Sequence, residues 1–151
     1  RTTRTSRLAA RAIIMRVATV FFPHGNRERL MHLAKALSRG IESQGHEVDL
    51  IDGSRDVNTK LSIYGYIAVG TEATNFFGGK IPSRVAEFLG SAGMVAGKKC
   101  FAFVPKRFVG GGRTLKRIMN VMEHEGMFLK LSDSLSSVEE AEEIGKRLSI
   151  G

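Results

Sequence analysis

Arg16-Val17-Ala18-Thr19-Val20-Phe21-Phe22 is a run of β-branched and aromatic residues that stops at Pro23-His24-Gly25-Asn26. Apolar residues fill it without alternating with polar ones, so it reads as a short strand buried on both faces, which is the habit of a parallel sheet covered by helices on either side. From Asn26 to Gln44 the apolar residues Leu30, Leu33, Ala34, Leu37 and Ile41 recur at helical spacing, and Gly45 supplies the stop. The same alternation continues. Strands are expected at Val48–Ile51, Tyr64–Gly70, Lys98–Val104 and Met127–Leu131. Helices are expected at Ile81–Leu89, with Pro82 tolerated in the first turn, at Thr114–Glu125, and at Val138–Leu148. Strands alternating with helices of this length form right-handed βαβ units, so the fold class is α/β: a five-stranded parallel sheet with helices on both faces, in three layers.

The 151 residues amount to one domain, with 42% hydrophobic and 25% charged residues. No apolar run approaches the ~20 residues of a membrane helix, so no membrane association and a cytoplasmic location are expected. One cysteine excludes a disulfide framework and a Cys-based zinc site. The formal net charge of +8 is the unusual figure, and half of it comes from Arg1, Arg4, Arg7 and Arg11. That stretch contains no acidic residue, and it reads as a leader or extension over residues 1–14, with the domain proper running from Met15 to Gly151. A second basic cluster runs through Lys98, Lys99, Lys106, Arg107, Arg113, Lys116 and Arg117. The acidic run Glu139, Glu140, Glu142 and Glu143 follows Ser137, whose spacing to Glu140 fits a capping box, so it reads as a helix first turn.

In doubly wound sheets ligands bind beyond the carboxyl ends of the strands. Three segments fall there. Loop 1, Pro23–Asn26, offers Gly25 for a tight turn, Asn26 as a helix cap, and Arg27 with His24 as cationic partners for an anion at the helix N-terminus. An ordinary βα turn would use nearly the same residues, and both readings stay open. Loop 2, Thr71–Lys80, is long for a βα connection, with Thr74, Asn75, Phe76 and Phe77 ahead of Gly78-Gly79. Two adjacent aromatics either leave one ring to lie against a flat ligand or pack together beneath the loop, and the loop length with Gly78-Gly79 favours the first. Loop 3, Pro105–Gly112, sets Phe108 before Gly110, Gly111 and Gly112, where backbone amides could approach a ligand closely.

The chain resembles the flavodoxin family in its short-chain form over Met15 to Ile150. The residues that carry the likeness are Gly25-Asn26 opening the first helix, Tyr64 to Thr71 before the aromatic-Gly-Gly loop, and Ile81 to Leu89. Further along come Gly97-Lys98-Lys99, Gly110 to Leu115, and Glu125-Gly126-Met127. The resemblance implies a flavodoxin-like fold that holds FMN non-covalently and acts in electron transfer. It puts the phosphate at loop 1 (His24, Gly25, Asn26, Arg27) and the isoalloxazine between loops 2 and 3. Either Thr74-Asn75 or Phe76-Phe77-Gly78 would take the ring-contacting place in loop 2. Phe108, Gly110 and Gly111 would flank the ring from loop 3. The phosphate loop departs from the family pattern, which is rich in threonine and serine: Phe22 to Arg27 contains no hydroxyl, and Pro23 lacks an N–H. A module of this fold that has lost FMN and serves in binding is therefore the alternative.

Family members that carry electrons are typically acidic, whereas this chain is basic, so a redox partner protein is expected to be acidic or of a different kind. No catalytic side chain is named, because the chemistry would be the flavin's. His24, His32, His46 and His124 are scattered without metal-ligand spacing, and Cys100 lies in an expected strand as a small buried hydrophobe. Nucleic-acid binding rests on charge alone and ranks last.

Overall fold

In the computed structural model, which describes residues 14–151, strand β1 (Arg16–Phe22) pairs in parallel with both β2 (Glu47–Asp52) and β3 (Tyr66–Thr71). Strands β4 (Lys99–Pro105) and β5 (Phe128–Leu135) extend the sheet, giving the order β2-β1-β3-β4-β5 with every pair parallel. This is the five-stranded flavodoxin-like arrangement that the sequence led us to expect. The leader expected at residues 1–14 lies, apart from Ile14, outside the described residues.

Period-two alternation along buried strands sends successive side chains into opposite layers. Ala18, Val20 and Phe22 of β1 join one core, while Val17 and Phe21 join the other. Helices α2 (Ser83–Gly90) and α3 (Gly111–His124) cover the first face with Val85, Phe88, Leu89, Ile118 and Met122. Helices α1 (Arg27–Glu42) and α4 (Val138–Arg147) cover the second, with Leu30, Leu33, Leu37, Ile41 and Ala141. The polar Thr19 is buried in β1, and its hydroxyl lies 3.0 Å from Ser38 Oγ, so the group is paired.

Ser137 caps α4, its Oγ accepting from the Glu140 N–H at 3.1 Å, while Glu140 Oε1 reaches one residue past the capping-box partner and accepts from the Ser136 N–H at 2.9 Å. Glu142 and Glu143 continue onto the exposed face, where Glu142 pairs with Arg39 and Glu143 with Lys146, both at 3.2 Å. The acidic run is thus structural.

Most elements shift by one or two residues from their expected bounds, and two differ by more. Strand β5 runs to Leu135 rather than stopping at Leu131, because it is an edge strand whose Ser132-Asp133-Ser134 segment carries little apolar signal. Helix α3 begins at Gly111, three residues early, inside the glycine run. Tyr64 falls outside β3, and its hydroxyl donates to Asp49 Oδ2 at 2.6 Å.

Candidate functional site

Loops 1, 2 and 3 all emerge at the carboxyl ends of β1, β3 and β4, which are neighbours in the sheet, so the topology brings them to one edge. In loop 1, Gly25 takes φ +72°, a conformation that favours glycine, and turns the chain into α1. Asn26 is the N-cap: its Oδ1 accepts from the Glu28 N–H at 3.1 Å. Arg27 opens the helix, and its side chain lies outside what the structure describes. His24 is exposed, and its N–H donates to Glu72 Oε1 at 2.9 Å.

Glu72 was not singled out in the sequence. It follows β3 directly and is partly buried; burial pushes its carboxyl up from the ordinary glutamate range, opposed by the bond from His24 and by the charges of Arg29, His24 and Arg107. A cavity of about 100 Å³ opens beside it, lined by Arg29, Arg107 and Thr114 among others. Arg29 Nη2 donates to the Lys106 carbonyl at 2.6 Å, tying α1 to loop 3.

Loops 2 and 3 meet directly. Arg107 Nη1 donates to the Asn75 carbonyl at 3.2 Å, and Nη2 donates to the Phe76 carbonyl. Gly78 and Gly110 complete the junction at φ +78° and +79°. A Cβ on Gly78 would lie 2.2 Å from Gly110 O, and one on Gly110 would lie 2.0 Å from Phe77 O. The glycines therefore serve here in loop-on-loop contact, with Gly110 capping α3 and Gly111 as its first residue. Thr74 is exposed and its N–H bonds back to Lys80 O at 2.9 Å, while Asn75 Oδ1 is buried with no partner.

The aromatic residues of this junction face outward. Phe76 is 69%, Phe77 62% and Phe108 105% exposed. Phe76 and Phe77 pack edge to face with centroids 5.1 Å apart. Large apolar side chains gathered at one loop junction and left in water are unusual for a surface with no ligand or partner to cover them.

A groove of about 370 Å³ lies on the other side of loop 1, between Pro23, His24, Gly25, Ser54, Arg55 and Arg84. Arg84 Nη1 donates to the Ser54 carbonyl at 2.9 Å. Ser54, Arg55 and Arg84 gave no signal in the sequence, because they reach loop 1 from the β2–β3 connection and from α2.

Cys100 has no solvent exposure in β4, and burial, with the Glu123 charge in second place, pushes its thiol up to about 12. Native protein at pH 8 is expected to release no chromophore from an aromatic disulfide reagent, while denatured protein releases one equivalent. A rapid reaction in the native state would show that β4 opens readily.

No protein-family model matches this sequence, and the comparison with curated proteins found no match. The fold, by contrast, is similar to that of solved structures. Oxidised flavodoxin 1 from Bacillus cereus superposes with a TM-score of 0.66 at 17% identity, over 88% of this chain and 99% of that one. A flavodoxin from the domain Archaea gives a TM-score of 0.60 at 18% identity, over 85% and 94% of the two chains. The flavodiiron protein from Giardia intestinalis gives 0.66 at 18% identity, covering 95% of this chain and 38% of that longer one.

Proposed function

We propose that this chain binds FMN non-covalently at the carboxyl edge of its sheet and works in electron transfer with a redox partner protein. The observation that carries the reading is the set of three exposed rings, Phe76, Phe77 and Phe108, on the two loops that flank the ring in the fold it shares. An exposed aromatic surface suits a flat heteroaromatic ligand, whose burial against it removes apolar area from water. The residues present fit the ring portion of such a group. Phe76, Phe77 and Phe108 would hold the ring, with the backbone of Gly78, Gly110 and Gly111 close by. His24, Gly25, Asn26 and Arg27 would line the far end, beside the groove that Arg55 and Arg84 edge.

Bound there, FMN supplies one- and two-electron chemistry; the chain's own part is to orient it and set its surroundings. Lys80, Lys106, Arg113 and Lys116 are exposed on or beside loops 2 and 3, so a partner that docks over the ring would meet positive charge, and an acidic one suits it. Titrating the purified apoprotein with FMN and following flavin fluorescence is the direct test. Saturable quenching is expected. Unquenched fluorescence at saturating protein would overturn the reading and leave the flavin-free binding module.

A further inference from the structure

We propose that the carboxylate of Glu72 fills the anion seat of loop 1, so that the site selects the isoalloxazine and ribityl portions of a flavin and is nearly indifferent to its terminal phosphate. The inference rests on the flavin reading above and concerns which flavin the site prefers.

A helix N-terminus with a glycine turn before it attracts an anion because its first N–H groups lack intrahelical acceptors. In this chain two N–H groups there already have a protein acceptor, one in the loop before the cap and one in the first helical turn. The His24 N–H points at Glu72 Oε1, 2.9 Å away. The Glu28 N–H points at Asn26 Oδ1, 3.1 Å away. Pro23 has no N–H, and no residue from Phe22 to Arg27 bears a hydroxyl. A phosphate entering here would displace the Glu72 carboxylate from its donor or sit beside it as a like charge, and either weakens its hold.

The cations near Glu72 are tied to loop backbone as well as to the carboxylate's field. Arg29 comes from α1, Arg107 from loop 3 and His24 from loop 1, and these are the charged groups acting on the carboxylate. Arg29 is tethered to the Lys106 carbonyl through one of its five N–H groups, and Arg107 to the carbonyls of Asn75 and Phe76 through two. Their charge favours the ionised form of Glu72 against the burial that pushes its carboxyl up, so a carboxylate already stands among them where an entering phosphate would be a second anion. The exposed rings of Phe76, Phe77 and Phe108 remain available to the flavin ring.

The test compares two probes, riboflavin and FMN, on the same apoprotein by fluorescence quenching. In the native chain the two dissociation constants are expected to agree within about ten-fold, since the phosphate adds little net interaction. Glu72→Gln keeps an oxygen acceptor for His24 but removes the charge, so FMN binding is expected to tighten about ten-fold or more while riboflavin binding stays within about two-fold. An FMN preference above ten-fold in the native chain overturns the inference, as does a Glu72→Gln change that is equal for both flavins or weakens FMN. The native-chain ratio is independent of whether the variant folds, and near-ultraviolet circular dichroism checks the variant. If neither flavin is quenched, the flavin reading falls, and this inference falls with it; if both bind but FMN dominates, only this inference falls.

Discussion

Replacing Gly40 with alanine is expected to lower the unfolding midpoint by roughly 10 °C, although the same change in an isolated helix would be stabilising by up to about 1 kcal/mol. Gly40 lies in α1 where that helix crosses α4. A Cβ there would sit 2.1 Å from Glu142 O, 2.8 Å from Gly145 Cα and 2.8 Å from Lys146 N, all of them backbone atoms. Gly145 faces it from α4, and its own Cβ would lie 2.3 Å from Leu37 O. The two helices touch backbone to backbone, so no side-chain rotation can make room.

Helix α4 must then shift outward. That shift strains the seat of Ala141, Leu148 and Ile150, which are buried in the core beneath α1 and α4. It also stretches the Gln44 Nε2 bonds to the carbonyls of Gly145 at 2.7 Å and Leu148 at 3.0 Å. Overpacking in a close-packed interior costs about 1–3 kcal/mol, and the lost contacts raise the net to about 3 kcal/mol after the helix-propensity gain is subtracted. Gly112→Ala is the control with the opposite sign: it lies in the first turn of α3 with nothing within 4 Å of its added Cβ, and it is expected to hold or raise the midpoint. Thermal unfolding of both variants decides it. An unchanged midpoint for Gly40→Ala would show that the α1–α4 crossing relaxes at no cost.

This crossing also shows where sequence reading stops. Gly40 and Gly145 each look like isolated helix-weakening glycines, and only the fold brings them face to face. Local signals were legible: the doubly buried β1, the Asn26 cap and the Ser137 cap all depend on residues within a few positions of one another. The polar half of β5 was not legible, because an edge strand has too few apolar residues to show a period. In the site, the three loops and their aromatics could be named from topology, since the carboxyl ends of neighbouring strands must converge. Glu72 could not, because its significance is a bond to His24, 48 positions earlier in the chain. Arg107 was read only as charge, whereas its guanidinium is a clamp on two carbonyls of loop 2.

Truncating Phe76, Phe77 and Phe108 together to alanine is expected to weaken flavin binding about 100-fold or more while leaving the unfolding midpoint within about 2 °C. The two halves of that expectation have one cause. At exposures of 69%, 62% and 105% these side chains bury little on folding, so their loss removes little from the folded state's stability. Most of their apolar surface is therefore free to be buried by a ligand. Each ring covered by a flat heterocycle contributes about 1–1.5 kcal/mol from area and quadrupole terms, and three together reach about 3–4 kcal/mol, a factor of a hundred or more in Kd. Phe128→Ala provides the comparison: its ring is 55% exposed on the β5 edge, under Lys130 Nζ at 4.7 Å, and away from the three loops. Loss of a generic sticky surface would lower apparent binding in both proteins, whereas loss of a ring site lowers it only in the triple variant. If the triple variant bound FMN as tightly as the parent, the outward-facing rings would not be flavin contacts, and the exposed junction of loops 2 and 3 would have to be read as a surface for another protein.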